Sequence, residues 1–274
     1  MNNARSIPVL MYHHVSPSPG LVTLTPEHFA DQMRGLAEAG YRTLGADEFA
    51  AYLAGKPVAD RAVVLTFDDG YLDNWVYAHP VLKQYGFTAL LFVVTDWIKG
   101  GPIRPHAGNP SATLPATPEH NICKQLIADN HADQAIVRWS EIEAMQKTGT
   151  FEIHCHTHTH TRWDKTCPNP TEKRAALAHD LDASRTTLTQ RLGSISNHLC
   201  WPQGYFDADY LDVASAAGFH HFYTVAPGAN QQGGAADHIN RIVVKDKPAR
   251  WLLSRLWIYR HPWLARWYAK RRAH

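Results

Sequence analysis

Short apolar runs alternate with amphipathic stretches along most of the chain. Residues 7–12, 41–44, 62–67 and 88–94 are rich in β-branched and aromatic side chains and are bounded by Gly or Pro, which predicts strands. Residues 151–154, 198–201, 219–225 and 239–244 predict further strands on the same grounds. The stretches between them predict helices. Residues 26–39 follow Thr25, open on Pro26 and stop at Gly40, so start and stop signals both agree. Residues 73–85 close on Gly86 in the same way, and helices are also predicted at 171–191 and 208–217. Repeated strand–helix alternation predicts an α/β fold with a parallel sheet, and six or more such strands predict a closed or nearly closed (β/α) barrel. Residues 95–137 break the rhythm with Pro102, Pro105, Pro110, Pro115 and Pro118, and are read as a long loop over the site.

With 274 residues, 45% of them hydrophobic, the chain can bury one large core and is not a disordered sequence. No stretch approaches the ~18 consecutive apolar residues of a membrane span. The first residues lack the basic, apolar, small-residue order of an export signal, so a cytoplasmic protein is expected. Cys123, Cys155, Cys167 and Cys200 form no C-x-x-C pair and are read as reduced thiols.

A net charge of +2 conceals an uneven distribution. From Pro248 onward there are seven Lys or Arg and no acid, which leaves 20 basic against 25 acidic residues in the body. The division is therefore drawn as a domain at 1–247 and a basic, aromatic, helical tail at 248–274. Trp251, Trp257, Trp263 and Trp267 lie in the tail, and Pro262 breaks it. Tryptophan beside arginine suits a lipid–water interface, and anionic headgroups add ~1 kcal/mol per nearby basic residue. Peripheral contact of residues 249–274 with the inner face of an anionic membrane is one expectation. A helix that packs its aromatics onto the barrel is the other. The acidic body and the lack of a recognition motif argue against nucleic acid as a partner.

Two segments concentrate chemistry. The first, Val63-Val-Leu-Thr-Phe-Asp68-Asp69-Gly70-Tyr71, ends a buried strand in adjacent carboxylates and a glycine. The glycine lets the backbone curl so that both acids face one cavity, and a cation on one acid leaves the other free as a base. The second, Glu152-Ile-His154-Cys-His156-Thr-His158-Thr-His160, places four histidines at alternate positions. If the chain stays extended, i,i+2 neighbours such as His154 and His156 form an H-x-H pair. If it turns helically after His156, then His156 and His160 converge. Imidazole with carboxylate suits Zn²⁺ or a similar first-row ion.

Together these segments resemble the polysaccharide deacetylases, the NodB-homology or carbohydrate esterase 4 group, over roughly residues 5–245. The resemblance implies a distorted barrel of that type. Asp68 would be the catalytic base and Asp69, His156 and His160 the ligands of a divalent metal, first of all Zn²⁺, with Co²⁺, Ni²⁺ and Mn²⁺ admitted. Thr157 fills the family's small hydroxyl position. The family's R-x-P-[Y/F]-G turn corresponds to Cys200-Trp-Pro-Gln203-Gly204, so Cys200 replaces the arginine that braces the base. An oxyanion donor is implied at the backbone N–H of Gln203. The late histidine that serves as general acid is missing near Ile239, where His238 only precedes the strand.

The opening Tyr12-His13-His14-Val15 instead looks like the branch of poly-N-acetylglucosamine deacetylases of the PgaB and IcaB kind. In that branch a histidine after the first strand takes the acid role, and the bracing arginine tends to be lost. The role passes to His13, with His14 as the alternative. The implied activity is hydrolysis of an N-acetyl group from an acetamido sugar in a glycan or lipid-linked glycan, with release of acetate. An H-x-H amidohydrolase and a degenerate fold that only binds carbohydrate are the competing expectations.

Overall fold

The computed structural model describes residues 3–109 and 113–270. Among these described residues are ten strands: β1 (Val9–Tyr12), β2 (His14–Val15), β3 (Thr23–Leu24), β4 (Arg42–Thr43), β5 (Ala62–Asp69), β6 (Ala89–Val93), β7 (Phe151–Cys155), β8 (His198–Cys200), β9 (His221–Tyr223) and β10 (Ile242–Val243). The main sheet runs β10-β1-β5-β6-β7-β8-β9, every pairing is parallel, and β4 joins the start of β5. Tyr223 pairs with Ile239 just ahead of β10, so one short stretch touches β9 at its start and β1 at its end. The sheet thereby curls into the (β/α) barrel that the alternation predicts, in the distorted form that the family resemblance implies. Strands β2 and β3 form a separate parallel pair beyond the end of β1.

The pleat divides the core. Val63, Leu65 and Phe67 of β5 pack outward with Phe29, Met33 and Leu36, while Val64 shares the interior with Val9, Leu90 and Phe92. Every residue of β5 is buried, as a central parallel strand with both faces covered must be.

The helices are α1 (Pro26–Glu38), α2 (Ala46–Leu53), α3 (His79–Tyr85), α4 (His120–Ala128), α5 (Trp139–Lys147), α6 (Trp163–Thr166), α7 (Pro170–Leu192), α8 (Ala208–Ala216), α9 (Ala249–Tyr259) and α10 (Pro262–Lys270). The Thr25 side chain caps α1 by accepting from the His28 N–H, and Asn169 caps α7 in the same way from Glu172. The stretch predicted as one helix at 73–85 departs from expectation. A π-helical turn at Asn74–Ala78 precedes α3, and the Asn74 amide donates to the His13 carbonyl at 2.7 Å. This turn is tied to the barrel mouth.

Residues 95–137 do more than cover the site. They fold down on Arg104, which pairs with the fully buried Glu141 and donates to the carbonyls of Asp133 and Ile136, and they contribute α4. Pro110 of that stretch lies outside the described residues.

The tail joins the body. Helix α9 lies on α1 so closely that a Cβ on Gly35 would meet the Cβ of Ala249 at 2.6 Å. Leu252, Leu256 and Tyr259 are buried, and Arg260 is placed among apolar neighbours because it pairs with Asp60 and the Tyr41 hydroxyl. Arg271 and Arg272 lie outside the described residues. No helix among the described residues is long and apolar enough to cross a membrane.

Candidate active site

A cavity of about 680 Å³ opens where the C-terminal ends of β1, β5 and β8 meet the loop after β7. His13, Asp68, Asp69, His156, His160, Gln203 and Arg241 line it, with Tyr71, Trp97 and Trp201 as aromatic walls. The structure thus brings the sequence-derived residues to one place, with the exception of His14.

Asp68 shares the inward phase of Val64 and Thr66 and projects into the barrel. Simple alternation would send Asp69 outward. Its backbone instead takes φ +72°, and Gly70 follows at +78°, so the chain turns back on itself and Asp69 enters the same cavity. The curl therefore starts one residue before the glycine, at the aspartate.

The brace on Asp68 comes from an unexpected element. Arg241, just before β10, is fully buried and clamps both carboxylate oxygens at 2.7 and 2.8 Å; its Nε donates to the Thr224 carbonyl. The expectation that Cys200 leaves the base without an arginine is corrected: a bidentate guanidinium reaches it from the last strand. Burial opposes ionisation of Asp68, but Arg241 and His13 outweigh it and hold the carboxyl below its ordinary value. Sequence reasoning passed over Arg241. The signal was an arginine in an apolar strand, in phase with the inward Ile239.

His156 and His160 converge, with ring centroids 5.0 Å apart. They do so without a helix. Thr157 at φ +67° and His160 at φ +60° bend the chain, and Thr157 Oγ1 accepts from the His160 N–H. Asp180 of α7 accepts from the backbone N–H groups of His158 and Thr159 and fixes this bend from below. His156 donates through Nδ1 to the Cys200 carbonyl at 2.7 Å, which leaves Nε2 to face Asp69 Oδ1 at 3.3 Å. His160 Nε2 approaches the same oxygen at 3.5 Å.

That oxygen decides whether a cation fits. Asp69 Oδ1 is buried and accepts no well-directed hydrogen bond, an arrangement costly unless a positive ion completes it. Asp69, His156 and His160 each offer a ligand atom within 4.8 Å of the others. A second set, Asp68, His156 and Cys200, is equally compact, but Arg241 already occupies both oxygens of Asp68 and burial keeps the Cys200 thiol protonated by raising its pKa. The Asp69 set fits a divalent ion, and three protein ligands leave positions open. His154, the other member of the H-x-H alternative, lies elsewhere: it bonds Ser196 Oγ at 2.6 Å and lines a separate pocket with Glu152.

The two histidines after β1 part company. His13 lines the cavity with Nε2 3.7 Å from Asp68 Oδ2, while His14 turns away to Asp73 at 2.6 Å. Gln203 sits at φ +55° in the turn after Trp201, and its N–H donates to no group among the described residues. Gly204 beside it has no room for a side chain, since a Cβ would lie 2.5 Å from Val225.

Residues 55–222 match the sequence profile of the polysaccharide deacetylases. The chain belongs to the polysaccharide deacetylase family. One polysaccharide deacetylase relative, the poly-beta-1,6-N-acetyl-D-glucosamine N-deacetylase of Staphylococcus aureus, is 24% identical over 237 residues, covering 85% of this chain and 71% of its own. YxkH of Bacillus subtilis, which carries the family's name, is 39% identical over a shorter 89 residues, 32% of either chain. Among solved polysaccharide deacetylase folds, IcaB from Ammonifex degensii superposes with a TM-score of 0.71 at 23% identity, covering 92% of this chain and 97% of its own. The deacetylase PplD of Streptococcus pyogenes, solved with acetate, gives 0.69 at 21%, covering 92% and 98%. At these identities the superpositions show the shared fold.

Proposed function

We propose that this polysaccharide deacetylase is a metal-dependent N-deacetylase that hydrolyses the acetamido group of an N-acetylated amino sugar within a glycan. One observation carries the reading. An orphaned Asp69 oxygen faces Nε2 of His156 and His160, beside an arginine-clamped Asp68 and His13, in one aromatic-walled cavity. The staphylococcal relative, named as a poly-N-acetylglucosamine N-deacetylase, supports the substrate class.

Held by Asp69, His156 and His160, a divalent cation would serve as a Lewis acid toward the acetyl carbonyl and make water more acidic. The chain's own residues supply the rest. Asp68, kept ionised by Arg241, takes the proton of the attacking water as the C–O bond forms. The Gln203 N–H is free to donate to the oxygen on which negative charge develops. His13 gives its proton to the departing nitrogen as the C–N bond breaks, yielding acetate and the free amine. Burial lowers the pKa of His13 against the opposing pull of Asp68 and Asp69, so its imidazolium, once formed, is a strong acid toward the departing nitrogen. Trp97, partly exposed in the cavity wall, offers a flat apolar face on which a sugar ring can lie.

The zinc-loaded wild type should release acetate from β-1,6-linked N-acetylglucosamine oligomers. Asp68→Asn should lose about a thousandfold or more in rate while keeping its metal. Loss of the ion along with the activity would refute the division of labour between Asp68 and Asp69.

We further propose that the tail brings the enzyme to an anionic membrane surface, where a lipid-linked glycan would be presented. Trp257 and Trp263 are 56% and 64% exposed, and Trp267 and Arg266 share the outer face of α10 with Trp263. The inward residues of the same helices pack on the barrel, so an anchored segment presents these side chains outward.

A further inference from the structure

A chain of hydrogen-bonded histidines runs from the core to the cavity. Asp73 anchors it. Its Oδ1 accepts from the Val15 N–H at 3.0 Å and from the Asn74 amide at 2.8 Å, and its Oδ2 faces His14 Nδ1 at 2.6 Å. Both Asp73 and His14 are buried, and the His14 ring stacks on Tyr71 at 3.7 Å. His14 Nε2 then meets Nδ1 of His120, the first residue of α4, at 3.2 Å. His120 lines the cavity together with Lys124, Ile127 and Ala128 of the same helix.

With neutral rings, the network sets where each proton sits. A carboxylate can only accept, so the single ring proton of a neutral His14 sits on Nδ1. Nε2 of His14 is then a bare acceptor, and it draws the ring proton of His120 onto Nδ1. The Tyr71 hydroxyl, 3.4 Å from the same His120 nitrogen, lies where it can accept from it as well. What remains is Nε2 of His120, a lone pair on the nitrogen of the ring edge turned away from His14, with no partner among the described residues.

We propose that His120 is a specificity-determining residue that accepts a hydrogen bond from a hydroxyl or N–H group of the sugar, with Asp73 and His14 as positioning residues that lock it in the accepting tautomer. The proposal rests on the N-deacetylase reading for the identity of the donor. A half-buried acceptor held in one tautomer also discriminates, because a sugar that displaces water from it without supplying a donor leaves the nitrogen unpaired. It gives the β1–β2 junction a task for each of its two histidines, His13 toward the scissile group and His14 toward recognition.

The chain dictates an unusual control. In Asp73→Asn the amide oxygen stays with the Val15 and Asn74 donors, so the amide NH₂ faces His14 Nδ1. That reverses each bond in turn and converts His120 Nε2 from acceptor to donor. Nitrogen-15 NMR of the histidine rings in the full chain reads this directly, with His120 assigned through His120→Ala. Wild type should show His120 protonated on Nδ1 and bare on Nε2, and Asp73→Asn should show the reverse. In kinetics on N-acetylglucosamine oligomers, His120→Ala and Asp73→Asn should each raise KM about tenfold with kcat within about twofold, the loss of one hydrogen bond to substrate. Hydrolysis of 4-nitrophenyl acetate, which has no sugar, should be unchanged in His120→Ala.

A protonated Nε2 on His120 in the wild type overturns the proposal, as does an unchanged KM in His120→Ala. Equal losses on oligomer and ester would make His120 structural and overturn it too. A wild type that cleaves the ester and no amino-sugar oligomer defeats the N-deacetylase reading and, with it, the sugar contact, while the NMR result still decides the tautomer.

Discussion

Arg241 and Asp68 form the pair on which the chemistry of the site turns. Both are buried, and a charge deprived of its partner there is expensive: breaking such a pair typically costs about 3–5 kcal/mol. Arg241→Met should therefore lower the urea midpoint markedly and slow any residual turnover by leaving the base under-ionised. Arg241→Lys should fail to restore either property, because one ammonium cannot span two oxygens held at 2.7 and 2.8 Å. Restoration of wild-type stability and rate by lysine would show that charge alone matters. At this scale the sequence was legible where a motif was contiguous. Asp68 with Asp69, and His156 with His160, stand within a few residues of each other, so their convergence depends only on local turns. Arg241 and Asp180 act from 173 and 22 residues away on the chain, respectively, and their partners become visible only when the barrel closes. His14 was legible as a histidine beside the site but not as the middle of a relay, because His120 lies 106 residues further on.

Among the elements, strand β5 and helices α1 and α7 follow their sequence signals closely, since periodicity, caps and closing glycines agree there. The π-helical turn before α3 had no local signal, because contacts to His13, His14 and Val15 impose it. The strands also carry histidines that the mechanism does not use. His198 of β8 stacks on His221 of β9 at 4.3 Å, and burial, with neighbouring His154 and His221, pushes the pKa of His198 well down. His79, stacked on Trp75, is pushed down to about 4, chiefly by burial. The unfolded chain binds protons near pH 6.5 that the fold refuses until about pH 4, so the stability due to His79 is complete above 6.5 and is lost as pH falls through that window. Between pH 7.5 and 5 the wild type should lose on the order of 1–2 kcal/mol more than His79→Asn does. Urea melts at both pH values measure the difference, and identical losses would mean that His79 does not titrate on unfolding.

For the molecule as a whole, the division at residue 248 is a change of composition and not a gap in space. The expectation of a helix packed on the barrel describes Leu252, Leu256 and Ala265, which are buried, while Trp257 and Trp263 stand exposed. Deleting the tail would expose that packing, so the cleaner probe is Trp257→Ala with Trp263→Ala. The double variant should leave anionic phosphatidylglycerol vesicles at least tenfold more readily than wild type, with its melting temperature and its rate on soluble oligomers unchanged; equal vesicle binding would remove the membrane from the account. The barrel also brings the two candidate ligand segments, far apart in sequence and joined at first only by the family resemblance, to one place: neighbouring parallel strands end on one rim, and β5, β6 and β7 are adjacent. The central claim is that this rim holds one cation through Asp69, His156 and His160. It is tested most directly by bound zinc per chain in wild type and Asp69→Ala, after chelation, reconstitution with zinc and dialysis. The account predicts about one tightly held ion in wild type and none in the variant. A wild type that retains no stoichiometric ion, or an Asp69→Ala variant that retains as much as wild type, would contradict it.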